Sequence, residues 1–139
     1  MKFRNIQNED YTVCAKNLVS AYEGAPWYNK WTEKEALLRI EATMSGFNSK
    51  GYVIEENNKV IAMCIGRIDY YFSGMNQFCI DEFQKNGVGK KLMNSVSDSL
   101  KLDEIYKIFL ITGGELAENF YKKNGFMKSE EGSMLELQL

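Results

Sequence analysis

The 139-residue chain contains no histidine and only one proline. Without imidazole the commonest general base is missing, and with it the serine–histidine triad and most zinc sites. Its three cysteines, Cys14, Cys64 and Cys79, are odd in number and widely spaced, with no C-x-x-C pair. They read as reduced thiols of a cytosolic protein, and no metal site is expected. A basic surplus is also lacking: 17 Lys and Arg stand against 19 Asp and Glu, a formal net charge of −2. That balance argues against a general nucleic-acid binder. No apolar run reaches membrane-spanning length and no N-terminal segment resembles a signal peptide, so a cytoplasmic location with no membrane partner is expected.

What is present is a chain 45% hydrophobic, long enough for one domain over residues 1–139 with a substantial core. "MKFRNI" alternates and predicts a first strand. Val13, Leu18 and Ala21 fit a helix from Glu9 to about Tyr22. The segment "EGAPWYNKWT", residues 23–32, holds the proline and both tryptophans and breaks the periodicity. Thr32 and Glu35 form a capping box that opens a helix through "EKEALLRIEATM". "GYVIEE" and "KVIAMCIGRIDYYF" predict strands joined by a tight turn at Asn57-Asn58, and "MNQFCIDE" predicts another. Val88, Leu92, Val96 and Leu100 form an i, i+4 stripe, giving a helix from Gly87 to about Lys101. "IYKIFLIT" predicts a short buried strand, "ELAENFYKKNGF" a helix closed by Asn124-Gly125, and "SMLELQL" a last strand. The order β-α-α-β-β-β-α-β-α-β implies an α/β (α+β mixed sheet) fold with helices on both faces.

The stretch "CIDEFQKNGVGKKLMNSV" sets a glycine-containing turn between a strand and a helix, a place where unpaired amides attract phosphate. The P-loop pattern fails, because it needs glycine at 84 and Ser or Thr at 91, where Gln84 and Lys91 stand. The dinucleotide fingerprint fails at Leu92, where it needs a third glycine. What matches is Q/R-x-x-G-x-G/A, as Gln84-Lys85-Asn86-Gly87-Val88-Gly89. Lys85, Lys90 and Lys91 oppose the helix dipole there by about 0.3–1 kcal/mol each, unless a pyrophosphate reverses the sign.

This hexapeptide resembles the pyrophosphate motif of the GCN5-related N-acetyltransferases (GNAT superfamily). "AENFYKKNGF", residues 117–126, is similar to that family's second signature, and the element order is the family's order. The resemblance covers essentially the whole chain and implies a GNAT-like acyl-CoA N-acyltransferase fold with acetyl-CoA as co-substrate. It implies backbone contacts to the cofactor from Cys79 and Ile80 and from the loop Gln84, Lys85, Asn86, Gly87, Val88, Gly89 and Lys90. It also makes Tyr121 the acid that protonates the departing thiolate, a transfer between groups with reference pKa values of ~10 and ~8.5.

Two departures accompany the resemblance. The Asp81–Gln84 spacing is about one residue short and lacks the family's proline. Gly114 stands where the family often has an asparagine, a role Asn119 would have to take over. Asp81 and Glu82 are candidate bases for the acceptor amine, yet strand alternation puts them on opposite faces unless a bulge intervenes. Cys79 reads as core filler rather than an acyl carrier. Trp27, Tyr28 and Trp31 with Glu23 in the 23–32 segment suit equally an aromatic, mildly acidic pocket for an amine or a hydrophobic lid on the core, and Asp69-Tyr70-Tyr71-Phe72 is a second candidate wall. The expected activity is acetyl transfer to a primary amine of a small molecule, aminoglycoside-like or polyamine, by direct attack. The alternatives are a non-catalytic acyl-CoA-binding module or a protein N-terminal or lysine acetyltransferase. A monomer and a homodimer both stay open.

Overall fold

The structure is a computed structural model that describes residues 1–139. Strands β1 (Lys2–Asn5), β2 (Ser49–Glu56), β3 (Lys59–Asp69) and β4 (Gln77–Gln84) pair antiparallel in that order, and β5 (Lys107–Phe109) joins parallel to β4. Helices α1 (Tyr11–Glu23) and α2 (Glu33–Met44) precede β2, α3 (Gly89–Leu102) connects β4 to β5, and α4 (Glu115–Lys123) follows. The mixed sheet and four helices match the expected architecture.

Local chemistry explains most boundaries. The Thr32 hydroxyl accepts from the Glu35 amide at 3.1 Å and Glu35 accepts from the Thr32 amide at 2.9 Å, which closes the predicted capping box. Asn57 and Asn58 both adopt positive φ, 54° and 61°, the two left-handed residues a tight hairpin turn requires. At the end of α4, Gly125 has φ +93°, while the Phe126 amide reaches Tyr121 O and the Gly125 amide reaches Lys122 O. That pair of bonds is a Schellman cap.

Two apolar layers flank the sheet. Side-chain alternation sends Val53, Met63 and Ile65 to one face, against Cys14, Ala15 and Leu18 of α1 and Ala36 and Ile40 of α2. Tyr52, Ile54, Ala62, Cys64, Phe78 and Ile80 pack on the other, against Leu92, Met93, Val96 and Leu100 of α3. The α3 stripe is as predicted, with Val88 standing just before the helix as its cap residue. The α1 stripe runs through Cys14 and Leu18, whereas Val13 is only half-buried and Ala21 lines a cavity.

The predicted last strand does not form. Residues 124–139 contain no helix or strand, and Met134, Leu135, Leu137 and Leu139 are exposed. Alternation suits a strand but supplies no hydrogen-bond partner, and β5 has only three residues to offer.

β3 and β4 pair out of simple register. Ile65 faces Glu82 but Gly66 faces Ile80, so Asp81 is an extra residue on β4, a β-bulge. A Cβ on Gly66 would lie 1.9 Å from the Cys79 carbonyl oxygen, so the close approach beside the bulge requires glycine. The bulge reverses the parity of everything after it. Ile80 belongs to the α3-side core, Glu82 meets side chains of α1 and α2, and Phe83 meets α4.

Candidate active site

β4 and β5 stay together for three rungs, Gln77–Lys107, Phe78–Ile108 and Cys79–Phe109, and then part. Beyond that point a cavity of about 780 Å³ opens. One wall is Ile80 to Gln84 of β4 and the other is Leu110 to Gly113, with Leu116, Ala117 and Tyr121 of α4. The end of α1 and the loop after it close the top through Asn17, Ser20, Ala21, Tyr22, Ala25, Pro26 and Trp27, while Lys85 and Asn86 stand at the loop end. Splayed parallel strands leave main-chain groups on β4 without a β5 partner, facing the gap.

The loop before α3 presents a row of unpartnered amides. Asn86 has φ +40° and Gly87 φ +80°, and the Val88 amide closes a turn on Lys85 O at 2.9 Å. The amides of Asn86, Gly87, Gly89, Lys90 and Lys91 donate to no protein group. They therefore face outward at the N-terminus of α3, where the dipole also favours an anion. The two glycines have different jobs. Nothing lies within 4 Å of a Cβ on Gly87, whose need is the left-handed backbone, whereas a Cβ on Gly89 would sit 2.8 Å from Phe120. Gly89 thus serves contact with α4. Lys85 also turns toward α4, its Nζ 4.3 Å from the Phe120 ring centroid, and Lys90 and Lys91 are exposed.

Tyr121 is clamped among Phe83, Phe120 and Phe126, with ring centroids 5.1–6.0 Å away, and it lines the cavity. Burial raises its pKa above the ordinary phenol value, so it is protonated at neutral pH. Glu82, 5% exposed, receives the Tyr22 hydroxyl at 2.9 Å on one carboxylate oxygen and Arg39 Nε at 2.6 Å on the other. Arg39 also donates to the Asp81 carbonyl at 3.1 Å, while the Asp81 carboxylate pairs with Arg67 at 3.0 Å. Because of the bulge, both acids lie on the α1/α2 side of β4. Burial and the neighbouring Glu82 charge raise the Tyr22 pKa, so this hydroxyl stays a donor to Glu82.

The residues proposed from sequence separate in space. Tyr121, Asp81, Glu82, Ile80, Gln84, Lys85, Asn86 and Trp27 all line the cavity. Cys79 does not: it is buried where the strands still pair, and burial raises its thiol pKa, which opposes a nucleophilic role. Asn119 is exposed and lies outside the lining, so it does not replace the polar side chain missing at Gly114. Tyr28 is 71% exposed and turned away, and Trp31 stacks behind Tyr22 at 5.8 Å as part of the core edge. Asp69 to Phe72 lie at the start of β4, the opposite end of the strand from the gap, and line no part of it.

Tyr22 and Arg39 are absent from the sequence-based candidates. Tyr22 continues the Cys14–Leu18 stripe at the i+4 position, and Arg39 adjoins the buried Ile40 on α2. An arginine flanking a buried helical stripe was the one available signal, and it named no partner. No group of three or more Cys, Asp or Glu is placed to hold a metal ion, and no helix is long and apolar enough to cross a membrane.

Residues 48–128 match the model of an acetyltransferase (GNAT) domain. No curated protein matches by sequence. Solved structures share the fold at low identity. A transcriptional regulator from Bacillus halodurans C-125 is 16% identical with a TM-score of 0.74, covering 98% of this chain and 99% of that one. A GNAT family acetyltransferase from Staphylococcus aureus subsp. aureus USA300_TCH1516 is 16% identical with a TM-score of 0.70, covering 98% of each. An aminoglycoside acetyltransferase from an uncultured soil metagenomic sample, in complex with sisomicin, is 14% identical with a TM-score of 0.72, covering 99% of this chain and 95% of that one. With the family model spanning more than half of the sequence and the split strands, amide-lined loop and tyrosine helix around one cavity, the chain belongs to the GNAT acetyltransferase family.

Proposed function

We propose that the protein transfers an acetyl group from acetyl-CoA to a primary amine of a small molecule by direct attack in a ternary complex. The observation that carries this reading is the cavity between the parted strands. It has an anion cradle at one end and a buried carboxylate with an aromatic wall at the other.

The roles follow from the chemistry of each group. The free amides of Asn86, Gly87, Gly89, Lys90 and Lys91 hold a pyrophosphate, with the nearby lysines balancing its charge. Free main-chain groups of the Ile80–Phe83 segment bind the extended arm that carries the thioester. Tyr22, Trp27 and Pro26 offer an aromatic and apolar wall to the acceptor, with Glu82 and Asp81 behind it, each neutralised by an arginine. Glu82 reaches the acceptor through the Tyr22 hydroxyl, whose oxygen keeps lone pairs free to accept a proton from the attacking nitrogen while its own proton moves toward Glu82. Tyr121 donates a hydrogen bond to the departing sulfur. Burial raises its pKa, so the phenol is fully protonated at neutral pH and available as that donor. The aminoglycoside acetyltransferase of like fold makes aminoglycosides a sensible part of the acceptor panel.

Isothermal titration with acetyl-CoA and CoA is the first test, with binding expected below high micromolar concentration. No binding in that range overturns the proposal. Thiol release from acetyl-CoA against polyamines, amino acids, aminoglycosides and peptides then tests the acceptor class. Release with peptides but with none of the small amines would refute the small-molecule assignment.

A further inference from the structure

Seven aromatic side chains of this protein are strongly exposed, and two of them, Trp27 and Tyr28, belong to the acceptor loop. The other five, Phe47, Tyr70, Tyr71, Phe72 and Tyr106, come from three separate connections: α2–β2, β3–β4 and α3–β5. All three connections meet at the end of the sheet where β4 and β5 begin, opposite the cavity.

These rings are held in place. Phe47 stacks on Tyr70 with centroids 6.2 Å apart and planes 6° from parallel. Asn76 joins the other two connections, accepting the Tyr71 amide on its side chain at 3.0 Å and the Tyr106 amide on its carbonyl at 2.8 Å. Asn48 and Ile68 exchange hydrogen bonds at 2.8 and 2.9 Å, which fixes the loop carrying Phe47 to the end of β3. Phe72 opens a short turn in which Ser73 and Gly74 both have positive φ, presenting its ring outward at 82% exposure.

From this ordered aromatic end we infer that the protein forms a two-fold homodimer, with Phe47, Tyr70, Tyr71, Phe72 and Tyr106 of each copy packed against the same residues of the other. The exposed area fits such a contact. Phe47 is 93% exposed, Phe72 82%, and the three tyrosines 54–57%. With ~200 Å² for a fully exposed aromatic side chain, the patch offers on the order of 700 Å² per copy. A standard stable interface buries ~800 Å² per partner, and aromatics dominate its core. A patch of this size is also at the upper limit of what monomers leave in water.

The rim chooses a second copy over an anionic surface. Lys50 is paired with Asp103 and Lys107 with Glu131, so no surplus of positive charge is available for lipid headgroups or nucleic acid. A rim neutralised within each copy does not repel its twin, and an isologous contact needs the same patch to meet itself. Both cavities then open at the far ends of the pair, free of the interface.

Sedimentation velocity of the full chain at ~10–100 μM is expected to give twice the 16.0 kDa chain mass. The double variant Phe47→Glu/Phe72→Glu is expected to sediment as a monomer with unchanged far-ultraviolet circular dichroism. Should that variant misfold, hydrogen exchange of the wild type decides the matter, with protection at residues 46–48, 70–76 and 106 rising with protein concentration. A wild-type monomer at 100 μM overturns the inference, as does a dimer that survives in the folded double variant. Concentration-independent exchange at those residues, or a monomer that co-sediments with phosphatidylcholine vesicles, overturns it as well.

Discussion

Replacing Gly66 by alanine should damage this protein far more than its single added carbon suggests. The new Cβ would be placed 1.9 Å from Cys79 O, 2.9 Å from Cys79 C and 3.0 Å from Phe78 Cζ. Real contacts of this type stay above 3.0 Å, so β3 and β4 would have to separate by about 1 Å or more. The obstructing atoms are backbone, and Cys79 is also the last rung that ties β4 to β5. Overpacking against rigid surroundings costs ~1–3 kcal/mol, and each strained or lost ladder bond adds ~1 kcal/mol. A total of about 3–4 kcal/mol is expected, or roughly 10–15 °C in Tm for a chain of this size. Gly51→Ala is the control. Its Cβ would meet the Cγ2 methyls of Ile6 and Ile65 and the Met44 Cε at 2.5–3.1 Å; these are side-chain rather than backbone atoms and the strands need not part, so about 1–2 kcal/mol is expected. Urea denaturation of both variants gives the comparison directly. A Gly66→Ala loss below about 1 kcal/mol, or one no larger than that of Gly51→Ala, would refute the account of the bulge.

Tyr121→Phe should lower kcat by about 10²-fold or more while the CoA affinity measured by titration stays within a factor of two or so. Equal losses in both would assign the ring to packing alone. Arg39→Met leaves the buried Glu82 without its cation. Such a break costs ~3–5 kcal/mol when fully buried, and Arg39 is 40% exposed, so about 1–3 kcal/mol is expected. Adding Glu82→Gln should recover about 1 kcal/mol or more of that loss in a double-mutant cycle, and additive losses would contradict the pairing. Asp10 accepts both Arg4 nitrogens at 2.8 and 2.9 Å, which lowers its pKa below the usual 3.8. Its stabilisation is therefore complete above about pH 4–5 and fades as pH falls through the lowered value. Asp10→Asn should lower Tm at neutral pH and flatten its fall between pH 4 and 2. An unchanged acid limb would count against this pair.

The helices and most of the sheet were legible because their signals are local. The Thr32–Glu35 box, the Asn57-Asn58 turn and the Leu92–Val96–Leu100 stripe each act within one or two turns of chain. The 84–89 loop was legible for the same reason, since its turn and the helix start after it are set by its own residues. Glu82 was not placeable, because its face depends on a bulge permitted by Gly66, sixteen residues earlier in sequence and across the sheet. Spacing short by about one residue between Asp81 and Gln84 was the visible trace of an irregular strand, without saying which acid it favoured. Tyr22 and Arg39 matter only through the carboxylate they share, a three-element contact with no sequence spacing of its own. The 23–32 segment shows the reverse error. Its sequence groups the aromatics on one wall, but backbone direction sends Trp27 to the cavity, Trp31 to the core edge and Tyr28 to solvent.

The fit of Gly89 against Phe120 ties the loop before α3 to α4. The 84–89 loop and the helix bearing Tyr121 touch at a glycine too small to yield, and Lys85 lies across the same ring. A ligand gripping the loop amides therefore steadies the phenol at the far end of a common lever. Phosphates that never react would then contribute to turnover as well as to affinity. On the proposed reaction, a shortened acetyl thioester lacking the pyrophosphate should, even at saturation, turn over more slowly than acetyl-CoA, because Tyr121 is then no longer braced.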